Sequence, residues 1–187
     1  MYKISFMACI TTISLLLLGL VTGCAPVGAQ REHYDRSLQL VDQGVIKLRE
    51  RHYDEARADF ELAAELAPLA AAIDGLGCVA LMQGDLDTAE QYFTTAYTMD
   101  RTYDHALGNL ALVYQLRGER ARAIETHDRA VANNPLNARF RNNRVMLLSE
   151  TVAITEADRK FLHDELLKAK ALAPHPLIIQ NSELFSE

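Results

Sequence analysis

Three consecutive segments of the chain, Ser37 to Leu69, Ala70 to Tyr103 and Asp104 to Asn137, align on one another with a period of 33 to 34 residues. The eighth position of each holds a small residue (Gly44, Gly77, Ala111), as do the twentieth (Ala56, Ala89, Ala123) and the twenty-seventh (Ala63, Ala96, Ala130). Gly and Ala together make up only about a fifth of the 187 residues, so this agreement is not compositional. A unit of this length has room for two helices and no room for a core of its own. It must bury its apolar face against copies of itself, which restricts the chain to a stacked array.

Larger apolar residues fill other fixed positions, with Leu40, Ile73 and Leu107 at the fourth and Phe60 and Phe93 at the twenty-fourth. Turn residues recur as well: Gly84-Asp85 and Gly118-Glu119 fall mid-repeat with Arg51-His52 at the same place in the first copy, and Pro68 and Pro135 close copies one and three. The spacing predicts two antiparallel helices per copy, A then B, in which small side chains let the helix axes approach and large ones fill the gaps beside them. This pattern resembles the tetratricopeptide repeat (TPR) over about 100 residues. The resemblance implies an all-α, right-handed superhelical solenoid of antiparallel helix pairs. Some positions depart from it: Arg101 replaces the closing Pro of copy two, His127 replaces the Phe of copy three, and Gln43 and Lys47 occupy usually apolar sites in copy one.

Beyond Asn137 the register weakens. Ala157 and Phe161 would be the twentieth and twenty-fourth residues of a degenerate fourth copy beginning at Ala138, although Arg144 takes an apolar position. Thr155 with Asp158 reads as a helix N-cap and first-turn acid. The helix that follows is expected to bury Phe161, Leu162, Leu166, Ala169 and Leu172, to expose Lys160, Asp164 and Lys168 as a capping helix would, and to end at Pro174. The apolar tail after it either folds back on the solenoid or waits for a partner.

The N-terminus is a different kind of segment. Residues 1–23 carry one charged side chain, Lys3, followed by an apolar run long enough to raise the possibility of a transmembrane anchor. Its ending argues otherwise, because Val21-Thr22-Gly23-Cys24 resembles a bacterial lipobox. That resemblance implies cleavage before Cys24, acylation of its thiol and, with Ala25 rather than Asp next, delivery to the outer membrane facing the periplasm. More than one acyl chain makes such an anchor stable. Removing the signal takes Lys3 and no acid, so the formal charge moves from −6 to −7. An acidic chain without a basic stripe is a poor nucleic-acid binder. With Cys9 lost and Cys24 acylated, Cys78 has no partner for an internal disulfide. The expected organisation is a signal peptide (1–23), a lipidated tether (24–33), three repeats (34–137), a degenerate fourth repeat with its capping helix (138–174) and a tail (175–187).

No phosphate loop, dinucleotide glycine pattern, nucleophile elbow or metalloprotease helix is present, so no enzyme activity, cofactor, metal or small-molecule substrate is expected. His127 is read as a satisfied core histidine and Cys78 as an inert thiol. In TPR proteins the concave groove is lined chiefly from positions two, five, nine and twelve of helix A. Carried over, these are Leu38, Val41, Val45 and Leu48; Ala71, Asp74, Cys78 and Leu81; His105, Gly108, Leu112 and Gln115; and Arg139, Asn142, Met146 and Ser149. Asn109 and Asn143, both at the sixth position, would bond the main chain of a bound peptide. The apolar end is either covered by the protein's own N-terminal segment or tail, or open to an extended or helical partner segment.

Size, the lipobox followed at once by repeats, and the junction Asn134-Pro-Leu-Asn-Ala-Arg-Phe-Arg-Asn-Asn-Arg resemble the TadD lipoproteins of tight-adherence (Flp) pilus systems. That resemblance implies a membrane-anchored scaffold for envelope, pilus or secretin proteins. A type IV pilus pilotin-like factor and an NlpI-like adaptor for peptidoglycan hydrolases are the alternatives.

Overall fold

The structure, a computed structural model, describes residues 27–150 and 155–184. They form α1 (Val27–Arg49), α2 (Tyr53–Leu66), α3 (Ala70–Met82), α4 (Leu86–Met99), α5 (His105–Leu116), α6 (Arg120–Asn133), α7 (Ala138–Ser149), α8 (Glu156–Leu172) and α9 (Pro176–Glu183). There is no strand among the described residues. Consecutive helices pack antiparallel, and each A helix also packs on the B helix before it. The result is an all-α TPR-like solenoid, as the period requires.

The A-to-B turn is built identically in three copies. The backbone N–H of His52, Asp85 and Glu119 donates to Lys47 O, Ala80 O and Tyr114 O at 2.9, 3.0 and 2.8 Å. The residue before each donor must adopt a left-handed conformation, which glycine does with little strain. Gly84 and Gly118 do so at φ +82 and +75, and Arg51 is forced into the same region at φ 65. In the second copy Asp85 then caps α4, accepting from Thr88 N at 3.1 Å.

The eighth and twenty-fourth positions meet inside each hairpin. A Cβ on Gly44 would stand 2.7 Å from the Phe60 ring, and one on Gly77 would stand 2.5 Å from Phe93. Both rings are fully buried. In the third copy Ala111 brings a Cβ, and His127 replaces the ring. Its side chain is 1% exposed, and neither ring nitrogen has a hydrogen-bond partner. The expectation of a satisfied histidine is therefore corrected: His127 sits in the slot as an unsatisfied, space-filling ring. Burial pulls its pKa down to about 4 against a partial upward pull from Asp128.

Two expectations about the fourth unit also change. Position eight is Val145, fully buried, which leaves no slot for an aromatic. Phe161 is 47% exposed beside the Arg144 guanidinium, and Leu172 is 41% exposed. Leu162, Leu166 and Ala169 carry the burial instead, repeating the spacing of Ala56, Phe60 and Ala63 five residues later than the aligned register. Leu166 packs on Val145 and fills the place that Phe60 and Phe93 occupy elsewhere. The same displacement puts Pro174 where Pro68 and Pro135 stand. α8 is thus a B helix displaced five residues along the sequence. Thr155 caps it with a capping box, its hydroxyl accepting from Asp158 N at 3.2 Å.

The tail folds back. α9 lies on α7 and α8 as a shortened next A helix, burying Ile178 against Ala138 and Ala169 and capping the C-terminal end of the solenoid. At the other end α1 begins at Val27, so the segment expected as a tether through residue 33 is helical from that point. No described helix is long and apolar enough to cross a membrane.

Candidate functional site

The A helices line the concave side, and the expected groove residues fall into three groups along it. In the first copy, Val41, Val45 and Leu48 are half-buried against Ala56, Phe60, Leu76 and Val79, and Leu38 alone stands open at 42% exposure. These side chains serve the contact between α1, α2 and α3 more than a ligand. The described part of the tail lies at the opposite end of the solenoid, so it does not cover them.

The second group is a polar cluster turned inward. Asp74 is buried, and its carboxylate accepts from Asn109 Nδ2 at 3.0 and 3.2 Å and from the Tyr103 hydroxyl at 3.2 Å. Burial pushes the Asp74 carboxyl up, with both donors opposing. The Asn109 amide is thus committed to fixing α5 to α3, which corrects the expectation that it reads a peptide main chain. Cys78 stands over the same cluster, its Sγ 4.0 Å from Asp74 and 3.6 Å from the Asn109 amide. Burial and then the Asp74 charge push its thiol up, so it holds its proton and is a poor nucleophile. Leu81 packs on the cluster around Phe93.

The third group is open and forms the site. His105, Asn109, Leu112, Gln115, Arg139 and Asn143 line one concavity of about 150 Å³ between α5 and α7. Leu112 offers its apolar side chain at 41% exposure, and Arg139 and Asn143 are exposed polar groups around it. The floor is the Phe140 ring. It lies close because position five of this copy is glycine: a Cβ on Gly108 would be 2.8 Å from Phe140 Cε1. Asn137 completes the wall and caps α7, accepting from Arg139 N and Phe140 N at 3.1 and 3.4 Å. Sequence reading left out Asn137 and Phe140. The Asn immediately before the helix was the available signal for the first, and a glycine one repeat earlier was the signal for the second.

Two further expected residues are not free. Asn142 Oδ1 accepts from Asn181 Nδ2 of α9 at 2.8 Å, so the protein's own tail holds it. Met146 is half-buried beside the concavity rather than lining it. Among the described residues no group of three or more His, Cys, Asp and Glu could hold a metal. Cys24 and the segment before it lie outside the described residues.

Comparison with known proteins agrees with this geometry. A tetratricopeptide-repeat family profile matches residues 80–144. No curated protein matches the chain in sequence. Among solved structures, a thermophilic TPR protein of Thermus thermophilus is 20% identical, with 80% of each chain covered and a TM-score of 0.64. The pilF protein of Pseudomonas aeruginosa is 21% identical, covering 80% of this chain and 67% of that one, with a TM-score of 0.59. YrrB, described as a TPR protein with an unusual peptide-binding site, is 17% identical over 75% and 71%, with a TM-score of 0.56. The chain spans 30% of the chain it matches in the Cut9–Hcn1 tetramer of the APC/C. At these identities the likeness is one of fold. Together with the repeat register, the helix pairing and the profile match over residues 80–144, it gives this chain a TPR-like fold similar to several TPR solenoids.

Proposed function

We propose that the chain is a non-catalytic protein-binding scaffold, anchored through a lipidated Cys24 at the periplasmic face of the outer membrane, and that it serves assembly of a pilus or secretion apparatus of the Flp/Tad type. The observation that carries the binding role is the α5–α7 concavity. It combines one exposed apolar side chain, Leu112, with a rim of hydrogen-bonding groups and a rigid floor at Phe140. That is the composition of a site that anchors one side chain of a partner segment and orients its backbone. The anchor reading rests on the Val21-Thr22-Gly23-Cys24 motif, and the pilus reading on the resemblance to TadD lipoproteins.

Affinity capture from outer membranes tests the groove. Leu112→Arg should abolish recovery of the partner, while Ile46→Arg, a control at another exposed apolar residue on α1, should leave it intact. Partners recovered equally with Leu112→Arg would remove the groove from consideration. Mass spectrometry of the membrane-extracted protein, with Cys24→Ser as control, tests the lipid. Separately, loss of secretin or pilus assembly on deletion of the protein tests the system it serves.

A further inference from the structure

We propose that Tyr97, Arg101, Arg129 and Asn133 form a binding site for a phosphate group on the B-helix side of the solenoid, at the junction of the second and third repeats. Arg101 is the residue that stands where Pro68 and Pro135 close the neighbouring copies. Its guanidinium carbon lies 4.6 Å from the Tyr97 ring centroid, and that of Arg129 lies 5.4 Å from the same ring. Neither guanidinium is ion-paired with a carboxylate among the described residues. Two like charges are thus gathered on one ring in a chain of net negative charge, an arrangement that an anion between them would relieve. Both guanidiniums also reach the Tyr97 hydroxyl, and with five N–H donors each they keep further donors that suit the paired oxygens of a phosphate.

The remaining groups fit the same ligand. Asn133 Nδ2 donates to the Tyr97 hydroxyl at 3.0 Å, which leaves the phenolic proton for an acceptor outside. This hydrogen bond, reinforced by the two arginines, holds the hydroxyl below its ordinary pKa and makes it a stronger donor. The platform is anchored, because the half-buried Tyr97 packs against both the cluster of Ala96 and Ala106 and that of Leu107, Ala130 and Phe140. Ordering the site around a ligand would therefore cost little. None of its four residues lines the concave groove.

The test is an NMR titration of the full chain in a neutral detergent, following the Asn133 side-chain amide and the Tyr97 ring at constant ionic strength. Inorganic phosphate and a monomeric short-chain phosphatidylglycerol are added separately. Saturable shifts are expected, with Arg101→Gln and Arg129→Gln each weakening binding about tenfold and the double variant abolishing it. Tighter binding of inorganic phosphate would assign the site to a free phosphate, and tighter binding of the diester to a lipid headgroup. Shifts that rise without saturation, or that persist in the double variant while its helical circular dichroism is unchanged, would overturn the proposal.

Discussion

The substitution Gly77→Ala isolates the contact on which the stack depends. Two effects oppose each other. In a helix interior alanine is better than glycine by about 1 kcal/mol, so propensity alone predicts stabilisation. The added Cβ, however, would lie 2.5, 2.7 and 3.1 Å from three atoms of the Phe93 ring. Phe93 is fully buried among Ala80, Ala89, Val113 and Ala123, so the ring cannot retreat without displacing the next repeat. Overpacking of this kind costs about 1–3 kcal/mol, leaving a net loss of up to about 2 kcal/mol. In urea, with a slope of about 2 kcal/mol per molar, the unfolding midpoint should fall by up to about 1 M. Gly28→Ala, where nothing lies within 4 Å, serves as the control and should leave the midpoint unchanged or slightly raised. Adding Phe93→Leu to Gly77→Ala should return part of the loss, so that the double variant is more stable than the sum of the two single changes. A midpoint that rises in Gly77→Ala, or strict additivity in the double variant, would refute the claim that ring and glycine share one slot.

Other substitutions probe other parts of the same architecture. His127 has a folded-state pKa of about 4 against an ordinary 6.5, so the unfolded chain takes up its proton first as pH falls. Its contribution is intact above pH 6.5 and is lost on descending towards 4, amounting to about 2 kcal/mol between pH 7 and 5. Urea midpoints at those two pH values should diverge more in the wild type than in His127→Leu, and equal divergence would mean the ring is hydrated in solution. Arg51→Gly should raise the thermal midpoint by an amount equivalent to about 1 kcal/mol, because φ 65 costs an L-residue about that much and glycine almost nothing. Asn181→Ala removes the 2.8 Å bond to Asn142 and about 1 kcal/mol of tail docking, so limited proteolysis should cut near α9 sooner, with the rest of the chain equally resistant.

The repeat made most of this architecture legible. Helix boundaries, turn glycines and the closeness of positions eight and twenty-four all follow from residues that recur at fixed spacing, and the structure places them accordingly. What the spacing did not reveal depended on side chains meeting across copies. Asn109 looked available because its own helix offers it no partner, and its partner Asp74 lies one repeat away on α3. Asn142 was claimed by α9, a helix too short and too weakly patterned to be recognised as part of the array. The fourth copy was misaligned for a simpler reason: Ala157 and Phe161 match the pattern in identity and position, but extra residues before α8 carry them to the surface. Leu162, Leu166 and Ala169 satisfy the burial pattern without matching the residue types. Chemical resemblance at a fixed number was a weaker guide there than the spacing of apolar residues.

Residue size at the eighth position orders the copies and explains where the open site lies. The series Gly44, Gly77, Ala111, Val145 runs against Phe60, Phe93, His127 and Leu166: as the eighth residue grows, the slot holds first a phenyl ring, then a smaller imidazole, then an aliphatic side chain. The first two copies therefore interlock through deeply inserted rings, and their A helices commit apolar side chains such as Val41 and Val45 to packing. In the third copy the aromatic in contact with helix A comes instead from α7. Phe140 comes within van der Waals reach of the backbone at Gly108 and forms a floor beneath the concavity. Leu112 and the side chains of Gln115 and Arg139 are then left open to the concavity. The open groove lies at the α5–α7 junction because there the stack is completed without using these three side chains.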